Sequence, residues 1–283
     1  MAIKVVTDST SDIPGAWKRE YGISTVSLSV SFAGDTQREE DVDTVAFYER
    51  IDRTKEIPVS SQPSLNEMVE AFERITSAGD SSFGIFISSE LSGTYENALA
   101  AREMVQEKNP AAKIEILDSR STSMQLGFAA LAAAKAAQAG AAVDEVVAAA
   151  RSVMARSRFL FVPKTLEYLR KGGRIGGASA LLGSVLQVRP ILTVIDGKTA
   201  ILRKVRTQAR ALSVMVDVFF EDIAQRGLGD VVVHHIDAEA AGRRLAKLIE
   251  GHIGREVPLC SIGPVVGLHV GPATVAVVYY TAR

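Results

Sequence analysis

Phe83-Gly84-Ile85-Phe86-Ile87-Ser88-Ser89-Glu90-Leu91-Ser92-Gly93-Thr94 reads as an apolar strand, a turn of small hydroxyl residues and the start of a helix. The same order recurs. Ile3 to Val6 runs into Thr7-Asp8-Ser9-Thr10-Ser11-Asp12, Ile57 to Val59 into Ser60-Ser61-Gln62-Pro63-Ser64, and Ile114 to Leu117 into Asp118-Ser119-Arg120-Ser121-Thr122-Ser123. In an open parallel α/β sheet the carboxyl ends of the strands face one crevice, and helix-start amides point into it. Four such turns line one site with donors, which suits a carboxylate or phosphate head group.

Outward from that stretch, strands are predicted near 3–7, 83–87 and 114–117, with helices near 65–77, 93–108, 122–139 and an alanine-rich one near 143–156. The alternation predicts a mainly parallel sheet. Ile23 to Phe32 alternates apolar and hydroxyl residues and reads as one strand with a wet face. Arg38-Glu39-Glu40-Asp41-Val42-Asp43 reads as a solvated loop before a helix. A second half begins at Arg158-Phe159-Leu160-Phe161-Val162-Pro163. At 283 residues the chain is near the upper size for one core, so we divide it into two α/β domains, 1–157 and 158–283. The second half is predicted to hold an apolar helix from Ala178 to Val188 and a hairpin of 190–195 and 199–205 about Asp196-Gly197. Helices near 207–225 and 238–251 flank a strand at 231–236, and a last strand lies near 274–281.

Net charge is −1 with 23% charged residues, so no broad field favours nucleic acid or an anionic membrane. The one cysteine, Cys260, excludes an internal disulfide or multi-cysteine metal site; it reads as a small buried residue and fits a reducing cytoplasm. Ala2 to Val6 reads as a strand rather than a signal peptide, and no apolar run reaches the ~18 residues of a membrane span, so a cytoplasmic protein without stable membrane insertion is expected. Gly172 and Gly177 have phosphate-loop spacing, but Ala178 stands where the lysine belongs. That segment is then a flexible loop, or a basic docking loop built on Arg170, Lys171 and Arg174.

His234 and His235 are strand neighbours facing opposite ways, so they share no metal. His252 reads as a solvated helix cap. His269, among Gly267, Gly271 and Pro272, predicts a rigid bend that either aims an imidazole into a crevice or holds a structural hydrogen bond. Ser92, Asp118 and His269 stand in the chain order of an α/β-hydrolase triad, which keeps a serine hydrolase or acyltransferase as an alternative. The G-x-S-x-G elbow is missing, however, and Ser92 reads instead as a helix N-cap and ligand hydroxyl.

Six segments together resemble the DegV family: Val6 to Pro14, Ser60 to Ser64, Ile87 to Tyr95, Leu117 to Ser119, Leu169 to Ile175 and Gly267 to Pro272. They stand in family order and span nearly the whole chain. The resemblance implies a two-domain α/β lipid-binding protein with its lipid site in the crevice between the domains, similar to the fatty-acid-binding subunits of bacterial fatty acid kinase. Such a subunit is not itself an enzyme. It carries a long-chain fatty acid, needs no cofactor or metal, binds no nucleic acid, and presents the carboxyl group to an ATP-dependent kinase subunit for acyl phosphate formation. A lipid sensor without a kinase partner is the other reading of the same resemblance.

Carried onto this chain, the head-group contacts are Ser60 and Ser92, with Ser61 and Thr94 beside them and His269 nearby. Ser60 stands where the family pattern has threonine. Arg170 and Arg174 fall in the segment that resembles the partner-docking loop. Hydroxyls and one imidazole orient the head without a buried Lys or Arg, whose ion pair would oppose use of the carboxylate as a phosphoryl acceptor. The stretch from Ala178 to Val188 supplies candidate walls for the acyl slot, or ordinary core packing.

Overall fold

The computed structural model describes residues 2–54, 56–182 and 188–283. Strand β1 (Ile3–Asp8) leads through a short 3-10 turn to helix α1 (Gly15–Tyr21). The segment 23–32, expected as one strand, is two strands in different sheets: β2 (Ser24–Val26) and β3 (Ser29–Phe32). Local hydrogen bonds cause the break. The Ser27 hydroxyl donates to the Leu28 carbonyl (2.9 Å), and the Leu28 N–H donates to Ser9 Oγ (3.0 Å), so ladder bonding stops where the Leu28 side chain turns into the core.

β3 pairs antiparallel with β4 (Asp35–Arg38) and β5 (Val59–Ser61) in a small sheet. Helix α2 (Thr44–Thr54) lies between those two strands in the chain. The acidic segment is not the solvated loop expected: Glu39, in a 3-10 turn, is only 6% exposed.

Helix α3 (Leu65–Ser77) starts on a capping box, in which Ser64 Oγ accepts from the Glu67 N–H (3.2 Å) and the Glu67 carboxylate accepts from the Ser64 N–H (2.9 Å). β6 (Ser81–Phe86), α4 (Thr94–Lys108), β7 (Ile114–Asp118), α5 (Ser123–Gln138) and α6 (Val143–Arg156) follow. The first sheet, ordered β2-β1-β6-β7, is wholly parallel. Its alternate residues split between two cores, as strand geometry requires. Val6, Phe86 and Ile116 pack on α3 and α4, while Val5, Phe83, Ile85 and Leu117 belong to the core that includes α5.

The second sheet uses β8 (Ser157–Val162), β9 (Arg189–Ile195), β10 (Lys198–Val205), β11 (Leu228–Ile236), β12 (Leu259–Ser261) and β13 (Thr274–Thr281), ordered β10-β9-β8-β13-β11-β12. It is antiparallel except for the β11/β12 edge. Helix α7 (Glu167–Lys171) precedes the glycine cluster. Helices α8 (Gln208–Arg226) and α9 (Glu239–Ile253) cover one face of this sheet. The other face, through Phe159, Phe161, Ala276 and Val278, shares a core with α5. α5 thus lies between the two sheets, which explains its many alanines. Gly127, Ala129, Ala130, Ala133 and Ala134, buried between the larger Leu126, Phe128 and Leu131, let both sheets close on one helix.

The β9–β10 hairpin turns at Asp196 and Gly197, both at positive φ (50° and 82°), the pair a two-residue I′ turn demands. Its tip rests on the first half, where Ser88 Oγ donates to the Gly197 carbonyl (2.9 Å) and the Arg120 guanidinium to the Asp196 carbonyl. Two further expectations need correction. The bend expected around His269 is a helix, α10 (Pro264–Val270), with Pro264 at its first position and Gly271 closing it at φ 95°. The helix expected from Ala178 to Val188 begins as a 3-10 turn, Gly176–Leu181, and residues 183–187 lie outside the described residues. Among the described residues no helix is long and apolar enough to cross a membrane.

Candidate functional site

Between the two sheets lies a cavity of about 320 Å³. Its walls are apolar side chains from both halves: Leu28, Ile87 and Leu91 from the first, Phe159, Phe161, Leu169 and Val194 from the second, and Val265, Val266 and Val270 on α10. Ser60, Ser61 and Gln62 at the end of β5, Ser92 and Gly93 before α4, Arg174, and His269 on α10 bring polar groups to it. Thr122 and Thr199 complete the lining.

The polar groups are tied to one another. His269 Nε2 lies 2.9 Å from Ser60 Oγ, and its Nδ1 has no hydrogen-bond partner although it is buried. Burial, with the Arg174 charge a smaller cause, pushes the His269 pKa down to about 4. The imidazole is therefore neutral at pH 7, with one nitrogen carrying a proton and the other able to accept. Gly172 leaves room for it: a Cβ there would stand 2.2 Å from His269 Nδ1. Gly93 does the same for Gln62, whose Oε1 would lie 2.3 Å from a Cβ at that position.

Ser60, Ser61, Ser92 and His269 therefore line one cavity. Thr94 does not line it. It is fully buried, and its Oγ1 lies 2.9 Å from Ser92 Oγ, so it supports Ser92 from behind. Nor is Ser92 the N-cap expected: Gly93 holds that place, and Ser92 Oγ accepts from the Thr94 N–H (3.3 Å) one residue earlier.

The two loop arginines part company. Arg170 is exposed in the last turn of α7, whereas Arg174 borders the cavity. Arg174 Nε donates to the Leu91 carbonyl (2.9 Å) and its NH1 to the Gly172 carbonyl (2.7 Å), pinning the glycine loop to the turn that carries Ser92. A guanidinium at the cavity departs from the expectation of hydroxyls and imidazole alone.

The hydrolase alternative does not survive the geometry. The Asp118 carboxylate accepts from Ser89 Oγ (2.7 Å) and the Arg120 N–H (2.8 Å), while His269 faces Ser60. No Asp-His-Ser relay is assembled from Ser92, Asp118 and His269. Sequence reasoning missed Gln62, Arg174 as part of the wall, and the apolar lining of α10. A signal for Gln62 was present, since Ser-Gln-Pro stands directly before a capping-box helix, a place that fixes a side chain's direction.

The turn carrying Ser92 is anchored from below. Asp8, at the end of β1, accepts from the Thr10 N–H (2.9 Å) and the Thr10 hydroxyl (2.5 Å) through Oδ1, and from the Ile87 N–H (2.7 Å) through Oδ2. Burial raises its pKa to about 6, against the lowering effect of those bonds. Among the described residues no group of three or more His, Cys, Asp or Glu side chains is placed to hold a metal ion.

A family model described as "Uncharacterised protein, DegV family" matches residues 2–282. A DegV domain-containing protein of Clostridium acetobutylicum is 49% identical over 283 residues, 100% of this chain and 99% of the relative. Among solved structures, a fatty-acid-binding DegV protein from Bacillus subtilis superposes with a TM-score of 0.89 at 30% identity, covering 99% of each chain. A DegV family protein from Thermus thermophilus, also described by its fatty acid binding, superposes with a TM-score of 0.89 at 27% identity over 99% of this chain and 100% of its own.

Proposed function

Because this chain belongs to the DegV family, we propose that it binds a long-chain fatty acid, with the carboxyl group at Ser60, Ser92 and His269 and the acyl chain in the cavity between the sheets. The observation that carries this reading is the union, in one cavity, of apolar walls with a cluster of hydroxyls and a neutral imidazole bordered by the Arg174 guanidinium. At ~0.8 kcal/mol per buried methylene, a chain of about 15 methylenes supplies roughly 12 kcal/mol before association costs, so the tail dominates affinity and the head group sets orientation.

Mass spectrometry of lipid extracted from the purified protein should find fatty acids of roughly C14 to C18, the chain lengths whose methylenes carry that affinity. Stoichiometric recovery of a nucleotide or sugar phosphate instead would overturn the reading. Ser60→Ala and Ser92→Ala each remove one head-group hydroxyl and should each cost about 1–3 kcal/mol of fatty-acid binding by direct titration. Affinities within about twofold of wild type in both variants would remove these serines from the head-group site. A chromogenic ester should not be turned over.

We place the domain boundary at 157/158, assign the protein to the cytoplasm, and propose that it presents bound lipid to an ATP-dependent kinase subunit. The supporting observation is Arg170, a cation exposed in the last turn of α7, just ahead of the glycine loop that borders the polar part of the cavity. Arg170→Ala should leave lipid affinity unchanged while acyl phosphate formation with a cognate kinase subunit and ATP falls at least about tenfold, because an exposed interface arginine steers a partner rather than holding the tail. Arg174→Ala should lower both, since Arg174 also pins the Ser92 turn. Unchanged phosphorylation in Arg170→Ala would exclude that residue from docking.

A further inference from the structure

Asp12, half-buried, and Glu39, buried, both from the first half of the chain, grip the first turn of α10. The Gly263 N–H donates to Asp12 Oδ1 (2.8 Å) and the Val265 N–H to Glu39 Oε1 (2.8 Å). Both acids crowd one residue, since a Cβ at Gly263 would lie 2.4 Å from Glu39 Oε1 and 3.3 Å from Asp12 Oδ1. Asp12 Oδ2 accepts from Ser123 Oγ (2.7 Å), but Glu39 Oε2 is buried with no hydrogen-bond partner. α10 in turn carries Val265, Val266, His269 and Val270 into the cavity.

The surroundings offer little positive charge. Asp8 comes from β1, Tyr48 from α2, Asp237 from the end of β11, and Cys260 from β12. Glu40 and Glu256 border the same open groove of about 880 Å³, and Lys18 from α1 is the cation on that side. Among the described residues no ion pair reaches Asp12 or Glu39; the Ser9 hydroxyl and the Lys18 charge ease the ionised form of Glu39, but burial outweighs both.

We propose that Asp12 and Glu39 are positioning residues that hold α10 against the cavity only while the pair carries no more than one negative charge, so that ligand affinity falls in alkaline solution. This rests on the lipid-binding reading above. Two carboxylates facing one α-carbon with no cation paired to either repel once both are ionised, and the element free to yield is the seven-residue helix between them and the ligand. The groove gives protons a path. Burial, with repulsion from Glu39, raises the Asp12 pKa to about 8, and burial raises that of Glu39 to about 7. Both lie above ordinary carboxylate values, so the stabilisation from the protonated forms is complete below about pH 4 and is lost as pH rises through about 7 to 8.

The test uses two readouts on wild type, Asp12→Asn and Glu39→Gln. The first is affinity for palmitate and for hexadecan-1-ol, whose head group does not titrate, between about pH 6 and about pH 9. Wild type should lose about tenfold for both probes, and each variant less than about twofold. The second is hydrogen exchange of the α10 amides without ligand, corrected for the intrinsic rate, where wild type alone should lose about tenfold protection over the same range. A merely structural role would weaken the variants at every pH without flattening the profile. The proposal is overturned if wild-type exchange is independent of pH, or if both variants keep the wild-type slope. Failure of both lipids to bind at any pH, with the exchange difference intact, would instead remove the lipid-binding reading and leave the clamp.

Discussion

Replacing Val266 with tryptophan should lower palmitate affinity by about 100-fold or more. Val266 lies in the wall of the cavity on α10 and is 6% exposed. An indole there must project into a space of about 320 Å³ that an acyl chain needs for itself. Excluding about four methylenes at ~0.8 kcal/mol each removes roughly 3 kcal/mol, which is about two orders of magnitude in Kd. Overpacking also costs about 1–3 kcal/mol of stability, so thermal melting must show the variant folded at the assay temperature. Val45→Trp, at a site 67% exposed on α2, is the control and should bind as wild type does. Retention of affinity within about threefold in folded Val266→Trp would mean that the tail lies elsewhere.

Asp8→Ala should destabilise the protein by about 3 kcal/mol in urea unfolding at pH 7, because it strands the Thr10 and Ile87 N–H donors at a fully buried position. Those bonds join the ends of two neighbouring parallel strands, so the turn bearing Ser92 should lose its footing and lipid affinity should fall as well. The pH dependence has a definite sign. With a folded-state pKa of about 6, above the ordinary 3.8, Asp8 contributes most below about pH 4 and less as pH rises through 6. The gap between wild type and Asp8→Ala should therefore widen when the measurement is moved from about pH 7 to about pH 5. A gap that narrows, or a loss under about 1 kcal/mol, would show that water replaces the carboxylate at little cost.

The strands at Ile3, Phe83 and Ile114, the helices at Leu65 and Val143 and the hairpin at Asp196-Gly197 were legible because each carries its own local signal: an apolar run, a capping box, a pair of positive-φ positions. Ile23 to Phe32 misled because period-two alternation is the same in one strand or two, and the break depends on Ser9, distant in sequence. Glu39 misled because a glutamate in an acidic run looks solvated; its buried carboxyl is met by the Val265 amide, more than two hundred residues away. Of the site, the hydroxyl turns and His269 could be read from motifs. The split between Arg170, exposed, and Arg174, pinned to Leu91, could not, since both stand in one basic loop and only the fold gives one of them a carbonyl.

The alanine-rich helix wedged between the two sheets has a thermodynamic consequence. Its Leu126, Phe128, Ala129, Ala130, Leu131 and Ala133 are all buried in a core shared with residues of both sheets, so neither half owns a complete interior. Removing either sheet would leave a broad apolar face of that helix in water, which no folded fragment tolerates without association. Architecture and cooperativity therefore divide the chain differently: two lobes by shape, one unit by melting, in which damage to either lobe is felt throughout.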